Sequence, residues 1–116
     1  MLLVYFLNKS LYINGFKVID SRAVQQIILL QLIISKSVKS ILNDSEEAGL
    51  TWYEIAFALE TVTRKSFNEQ AVRQLIHDTK MKIKRVYGDK KIEIIENING
   101  RYIICEKVAL ILPPKR

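Results

Sequence analysis

A chain of 116 residues holds enough material for one hydrophobic core and too little for a second. With 49% hydrophobic and 26% charged residues, four Gly and two Pro, it is excluded from the disordered, collagen-like and low-complexity classes. Its single cysteine, Cys105, permits no intramolecular disulfide and no cysteine metal cluster within one subunit, which points to a reducing, cytoplasmic setting.

The net charge of +6 is unevenly spread. Residues 1–60 carry 5 basic and 6 acidic side chains, and residues 61–116 carry 13 basic and 6 acidic ones. Basic charge concentrated in one half suits a polyanionic partner, because clustered lysines and arginines release counterions from phosphate whereas scattered ones only aid solubility.

The opening Met1–Leu7 run is apolar but has neither a basic leader nor a small-residue cleavage site, so it reads as a strand rather than a signal peptide. From Leu2 to Ile19 apolar stretches are broken at Asn8-Lys9-Ser10 and at Asn14-Gly15, the latter a favoured hairpin pair; two or three antiparallel strands are expected over 2–19. Asp20 or Ser21 is the expected cap of a helix over about 21–43, with Val24, Ile27, Ile28, Ile34, Val38, Ile41 and Leu42 at helical spacing. Leu29, Leu30 and Leu32 widen its buried face. The apolar run 27–34 falls well short of the roughly 20 residues that span a bilayer, so no membrane segment is expected.

After the polar loop 43–49, Thr51-Trp52-Tyr53-Glu54 has the form of a capping box and opens a helix over about 51–62, with Ile55, Ala56, Leu59 and Val62 as its buried stripe. Trp52 and Tyr53 are expected in the core. Thr63-Arg64-Lys65-Ser66 interrupts the pattern, and Asn68 caps a third helix over about 68–87, with Phe67 stapled onto Val72.

The third helix places Val72, Leu75, Ile76, Thr79, Ile83 and Val86 on one face. Arg73, His77, Lys80 and Lys84 form a second, basic stripe, read as its opposite face. Gly88-Asp89 ends the helix, and residues 91–108 read as a hairpin whose tip carries Asn99, Gly100 and Arg101. Two helices joined by a brief turn, the second basic, are what reading of a major groove requires, and an arginine on a following hairpin can reach the adjacent minor groove.

In this order of elements the chain resembles the OmpR/PhoB-type winged-helix domain of transcriptional regulators, and more narrowly its ToxR/CadC-like members. Val72–Ile83 resembles the recognition helix, with Ile76, Lys80 and Ile83 where the family has Ile, Arg and Leu. Ile92–Ile95 and Asn99–Ile103 resemble the closing wing, with Tyr102 in the family's tyrosine place, and Leu11–Ile19 and Leu50–Ile55 resemble the amino-terminal strands and the start of the positioning helix. Departures are Lys80 for arginine, Asp78 where a basic residue is common, and Gly100 one place further from Tyr102 than the usual glycine.

The resemblance implies an α+β winged helix-turn-helix occupying 1–116 as a single domain, with amino-terminal antiparallel strands, three helices and a carboxy-terminal hairpin wing. It further implies a bacterial, cytoplasmic regulator that binds double-stranded DNA without catalysis, as a homodimer or on tandem sites. Arg73, His77, Lys80 and Lys84 are the expected groove and phosphate contacts, Arg101 the minor-groove contact, and Lys82, Lys90 and Lys91 the flanking phosphate contacts. Arg64 and Lys65 in the turn between helices two and three are the expected contact to RNA polymerase.

No catalytic, cofactor or metal residue is assigned. His77 is the single histidine, with no carboxylate partner beyond its neighbour Asp78, and a His77/Cys105 nucleophilic pair is a remote reading. Cys105 lies in an apolar strand and is expected to pack as a small hydrophobe. Two other readings stay open: a winged helix serving as a protein-interaction module in a larger assembly, and a DNA-holding component of replication or processing that regulates nothing.

Overall fold

The computed structural model describes residues 2–43, 47–88, 93–105 and 108–111. It is an α+β fold of three strands, three helices, a two-stranded hairpin and a final strand. In chain order these are β1 (Leu2–Leu7), β2 (Ser10–Ile13), β3 (Phe16–Ile19), α1 (Val24–Leu42), α2 (Trp52–Thr63), α3 (Glu69–Tyr87), β4 (Ile95–Ile98), β5 (Arg101–Ile104) and β6 (Val108–Ile111).

The three tight connections share one solution. Asn8-Lys9, Asn14-Gly15 and Asn99-Gly100 all hold φ between 49° and 88° at both central positions, the mirror-image turn geometry whose twist matches that of the strands it joins. At Asn14 the turn is locked further, since its Oδ1 accepts the Leu3 amide at 2.8 Å and its own amide donates to the Leu3 carbonyl at 2.8 Å.

The first three strands form an antiparallel meander, and β6 joins its open side in parallel with β1, giving the order β3-β2-β1-β6. This last strand was not foreseen; the expected wing ended near 108, where β6 in fact begins. Parallel pairing brings Val108 beside Leu2 and Leu110 beside Val4, so the two ends of the described chain close one sheet.

One face of this sheet packs on the helices through Val4, Leu11, Ile13, Val18 and Ile19, all buried. The core behind it belongs to α1, where Leu29, Leu30 and Ile33 have no exposed surface, and it is completed by Ile55 and Leu59 of α2, by Val72, Ile76 and Ile83 of α3, and by Ile95, Tyr102 and Ile104 of the hairpin. By length and composition α1 is long and apolar enough to cross a membrane, 19 residues at a mean hydropathy of 1.2, but here its most apolar turns are the centre of the core. The run 27–34 was therefore only the buried half of a longer helix.

Several local expectations need correction. The amino-terminal cap of α1 is Ala23, which has no side-chain hydrogen bond; Asp20 instead builds the preceding turn, its Oδ1 accepting both the backbone and the side chain of Arg22, which holds its carboxyl at about 2. Val24, Ile41 and Leu42, expected in the buried face, are exposed in the first and last turns of α1. Val62 and Val86 are exposed for the same reason, each lying in the final turn of its helix.

The caps of the other two helices form as read. Thr51 and Glu54 make a complete capping box, and the Asn68 side chain accepts the Ala71 amide at 2.8 Å. Arg64 ends α2 in the left-handed region, φ 60°, and Gly88 does the same for α3.

Because Leu30 has no exposed surface, Leu30→Ala is expected to lower unfolding free energy by about 2–5 kcal/mol. Leu42→Ala, at an 81% exposed position, should change it by less than about 0.5 kcal/mol. Urea titration of the two variants distinguishes a core α1 from one held elsewhere.

Candidate nucleic-acid interface

Helix α3 lies against the core on Val72, Ile76, Thr79 and Ile83. Thr79 is tolerated there because its hydroxyl donates to the Leu75 carbonyl at 2.7 Å. At about 100° per residue, Gln70, Gln74, Met81 and Arg85 then lie nearest the direction pointing straight away from the core. The stripe Arg73, His77, Lys80 and Lys84 sits on the flank of that outward face, not opposite the core as the spacing suggested, because the buried face is centred near Val72 and Ile83, with Leu75 half-buried at its edge and Val86 exposed.

Along this flank the side chains differ. Arg73 and His77 are exposed; Arg73 donates to Glu69 one turn back at 3.0 Å, and with Gln70, Gln74 and Glu69 the two line an open concavity of about 390 Å³. Lys80 and Lys84 are more covered, and their ammonium groups lie 3.4 and 3.2 Å from the carboxylate of Glu93, just ahead of β4. Burial pushes the Glu93 carboxyl up, but the hydrogen bond from Lys84 and the charge of Lys80 outweigh it and hold the group below the usual glutamate range.

Lys82 lies on the other flank, where it lines a second open groove with Arg22, Gln25, Gln26, Leu75 and Asp78. Lys90 and Lys91 lie outside the described residues. Arg64 and Lys65 are exposed in the turn between α2 and α3. His77 is exposed and Cys105 buried, so imidazole and thiol face different surroundings. Among the described residues no three of His, Cys, Asp and Glu gather in a way that could hold a metal ion.

Arg101 departs most from its expected place. The turn of the β4–β5 hairpin is Asn99-Gly100, and Arg101, the first residue of β5, reaches back to the start of α2: its guanidinium is 2.7 Å from Glu47, 3.5 Å from Glu54 and 3.1 Å from the Gly49 carbonyl. An arginine flanked by two carboxylates and a carbonyl is drawn inward by charge, so the hairpin tip presents Asn99 and Ile98 rather than a cation.

The same corner fixes the hairpin to the helices. Leu50 and Tyr102 exchange backbone hydrogen bonds at 3.0 and 2.8 Å, and the Ser37 hydroxyl of α1 donates to Ile33 and accepts the Ile104 amide at 3.3 Å. Gly49 lies so close that a Cβ there would meet Ile103 at 2.5 Å and the Tyr102 carbonyl at 2.9 Å. Trp52 packs partly against the core, whereas Tyr53, expected beside it, is 60% exposed and meets it edge-on.

The sequence stripe pointed to Arg73 and His77 but missed Gln70, Gln74 and Arg85, whose outward placement depends on which face of α3 the core takes. It also missed Glu93, an acidic residue in an otherwise basic segment whose contact with α3 requires the chain to fold back. No family model, curated protein or solved structure matches the chain.

Two outcomes follow from the corner. Gly49→Ala, at φ +84° and with no room for a methyl, should lose at least about 2 kcal/mol of stability in denaturant titration. The amide of Thr51, with its hydroxyl and the charge of Arg101, holds the Glu54 carboxyl below its ordinary value. Its contribution is therefore complete above about pH 4.3 and lost as pH falls through the lowered value. Between pH 5 and pH 3 the melting temperature of the wild type should fall by more than that of Glu54→Gln; equal slopes would refute the assignment.

Proposed function

We propose that this chain is a winged-helix protein that binds duplex DNA, α2 and α3 acting as the helix-turn-helix unit and the β4–β5 hairpin as the wing. The observation that carries the reading is the exposed, polar outward face of α3, with Gln70, Gln74 and Arg85, directly after a short turn from α2. Helix α3 bears five basic and two acidic side chains, and α2 bears no basic one. A single helix with polar, hydrogen-bonding side chains along its outer face fits the major groove, where glutamine pairs with adenine edges and arginine with guanine edges.

In this reading Gln70, Arg73, Gln74 and His77, near the start of α3, read bases. Arg85, Lys80, Lys82 and Lys84 meet phosphates, and the wing tip approaches the minor groove through Asn99 and Ile98 while Arg101 braces it. The chain then acts as a cytoplasmic transcription regulator, as a dimer or on repeated sites, with Arg64 and Lys65 exposed for RNA polymerase. A second reading, a protein-interaction module, draws support from one feature: Tyr53 and Phe57, one turn apart on α2, are 60% and 73% exposed.

Fluorescence anisotropy of labelled duplexes at several salt concentrations tests the proposal. Arg73→Ala/Arg85→Ala is expected to weaken binding and to flatten the dependence of log K on log salt by about one to two units, while Lys9→Gln on the β1–β2 turn leaves both unchanged. Absence of binding at low salt, or equal loss from Lys9→Gln, would sink the DNA reading. Retention of a protein partner by the wild type and its loss in Tyr53→Ala/Phe57→Ala would then favour the second.

A further inference from the structure

Two of the basic side chains on the DNA-facing flank of α3 are already engaged within the chain. The single carboxylate of Glu93 lies 3.4 Å from the Lys80 ammonium and 3.2 Å from that of Lys84, at the point where the chain enters the wing. The Glu93 side chain is 45% exposed and those of the lysines 33% and 26%, so the triad sits at the surface, open to an approaching anion. Ion pairs this accessible contribute little to holding a fold together. Their effect on an incoming charge is larger, because a phosphate seeking either lysine meets an ionised carboxylate beside it.

We propose that Glu93 is a counter-charge built into the DNA face: it occupies Lys80 and Lys84 until a backbone phosphate takes them, and its own charge opposes that phosphate. The inference rests on the DNA reading above and gives it a second element, a residue that lowers affinity for every duplex alike. Base choice stays with the outward side chains of α3, which Glu93 does not touch, so lowered background affinity leaves discrimination between sequences intact. Two physical effects set the size. Repulsion between the carboxylate and a phosphate about 5 Å away, in a water-like dielectric, amounts to about fourfold in the binding constant and rises where the interface excludes water. A lysine already neutralised within the protein also releases fewer counterions on binding, which lowers the salt slope by about one unit.

Glu93→Gln keeps the side chain's size and removes its charge. It is expected to tighten binding to mixed-sequence duplex about four- to tenfold at moderate salt, to steepen the salt slope by about one unit, and to leave the affinity ratio between two different duplexes unchanged. In a Lys80→Ala/Lys84→Ala background the same change should no longer steepen the salt slope, since that part of the effect runs through the lysines. A melting temperature within a few degrees of wild type confirms that the variants are folded. If the wild type binds and Glu93→Gln binds equally or more weakly, the carboxylate is a brace and the proposal falls while the DNA reading stands. A salt slope that still steepens by about one unit without the two lysines overturns it as well. If neither wild type nor Glu93→Gln binds any duplex at low salt, both readings fall together.

Discussion

Burial of α1 is the constraint on which the rest of this structure depends. Leu29, Leu30 and Ile33 are wholly enclosed, and the inner face of the sheet, the buried stripes of α2 and α3 and the inward side chains of the hairpin are all assembled around them. Burying one such side chain contributes about 1.5–3 kcal/mol, whereas the net stability of a domain this size is only about 5–15 kcal/mol. The orientation of α3, and with it the choice of which residues face outward, follows from how that helix completes this core.

Around this apolar centre a small polar corner sets the hairpin against the helices. Thr51 and Glu54 cap α2, Glu54 and Glu47 draw in Arg101, Leu50 pairs with Tyr102, and Gly49 permits the close approach. Each contact is modest, but they join the loop before α2, the start of α2 and the first residues of β5. The arginine expected to extend toward a ligand is a brace, because two carboxylates compete for it at close range. The hairpin is also held from α1 by Ser37.

The exposed faces divide by chemistry. Helix α3 is polar and basic outward; α2 is aromatic outward at Tyr53 and Phe57, with Glu60 beside them and no basic residue. The outer face of the sheet is apolar, with Leu3 and Leu7 exposed and Tyr5 stacked on Tyr12 at 5.4 Å. Of the three, the α3 face is the one whose charge and hydrogen-bonding groups match the proposed ligand, and Glu93 moderates that match at one edge.

Local chemistry made much of the fold legible from the sequence alone. Both asparagine-glycine turns, the Thr51–Glu54 box, the Asn68 cap and the three helices lie where short-range rules place them, since each depends on residues within a few positions of one another. So does the basic character of α3, which is composition read on a helical period. What required the tertiary structure were relations between distant segments: β6 returning to pair with β1, Glu93 closing on Lys80 and Lys84, and Arg101 drawn to Glu47 and Glu54. Periodicity defines an apolar stripe but not how much of each end turn the neighbouring elements cover, and Ile41, Leu42, Val62 and Val86, all in the last turns of their helices, are exposed despite their spacing. For the same reason the outward face of α3 is centred on Gln74 and Met81 rather than on the lysine stripe: the sequence by itself determined that the helix is amphipathic and basic, and only packing against α1 and the sheet decided how it is turned.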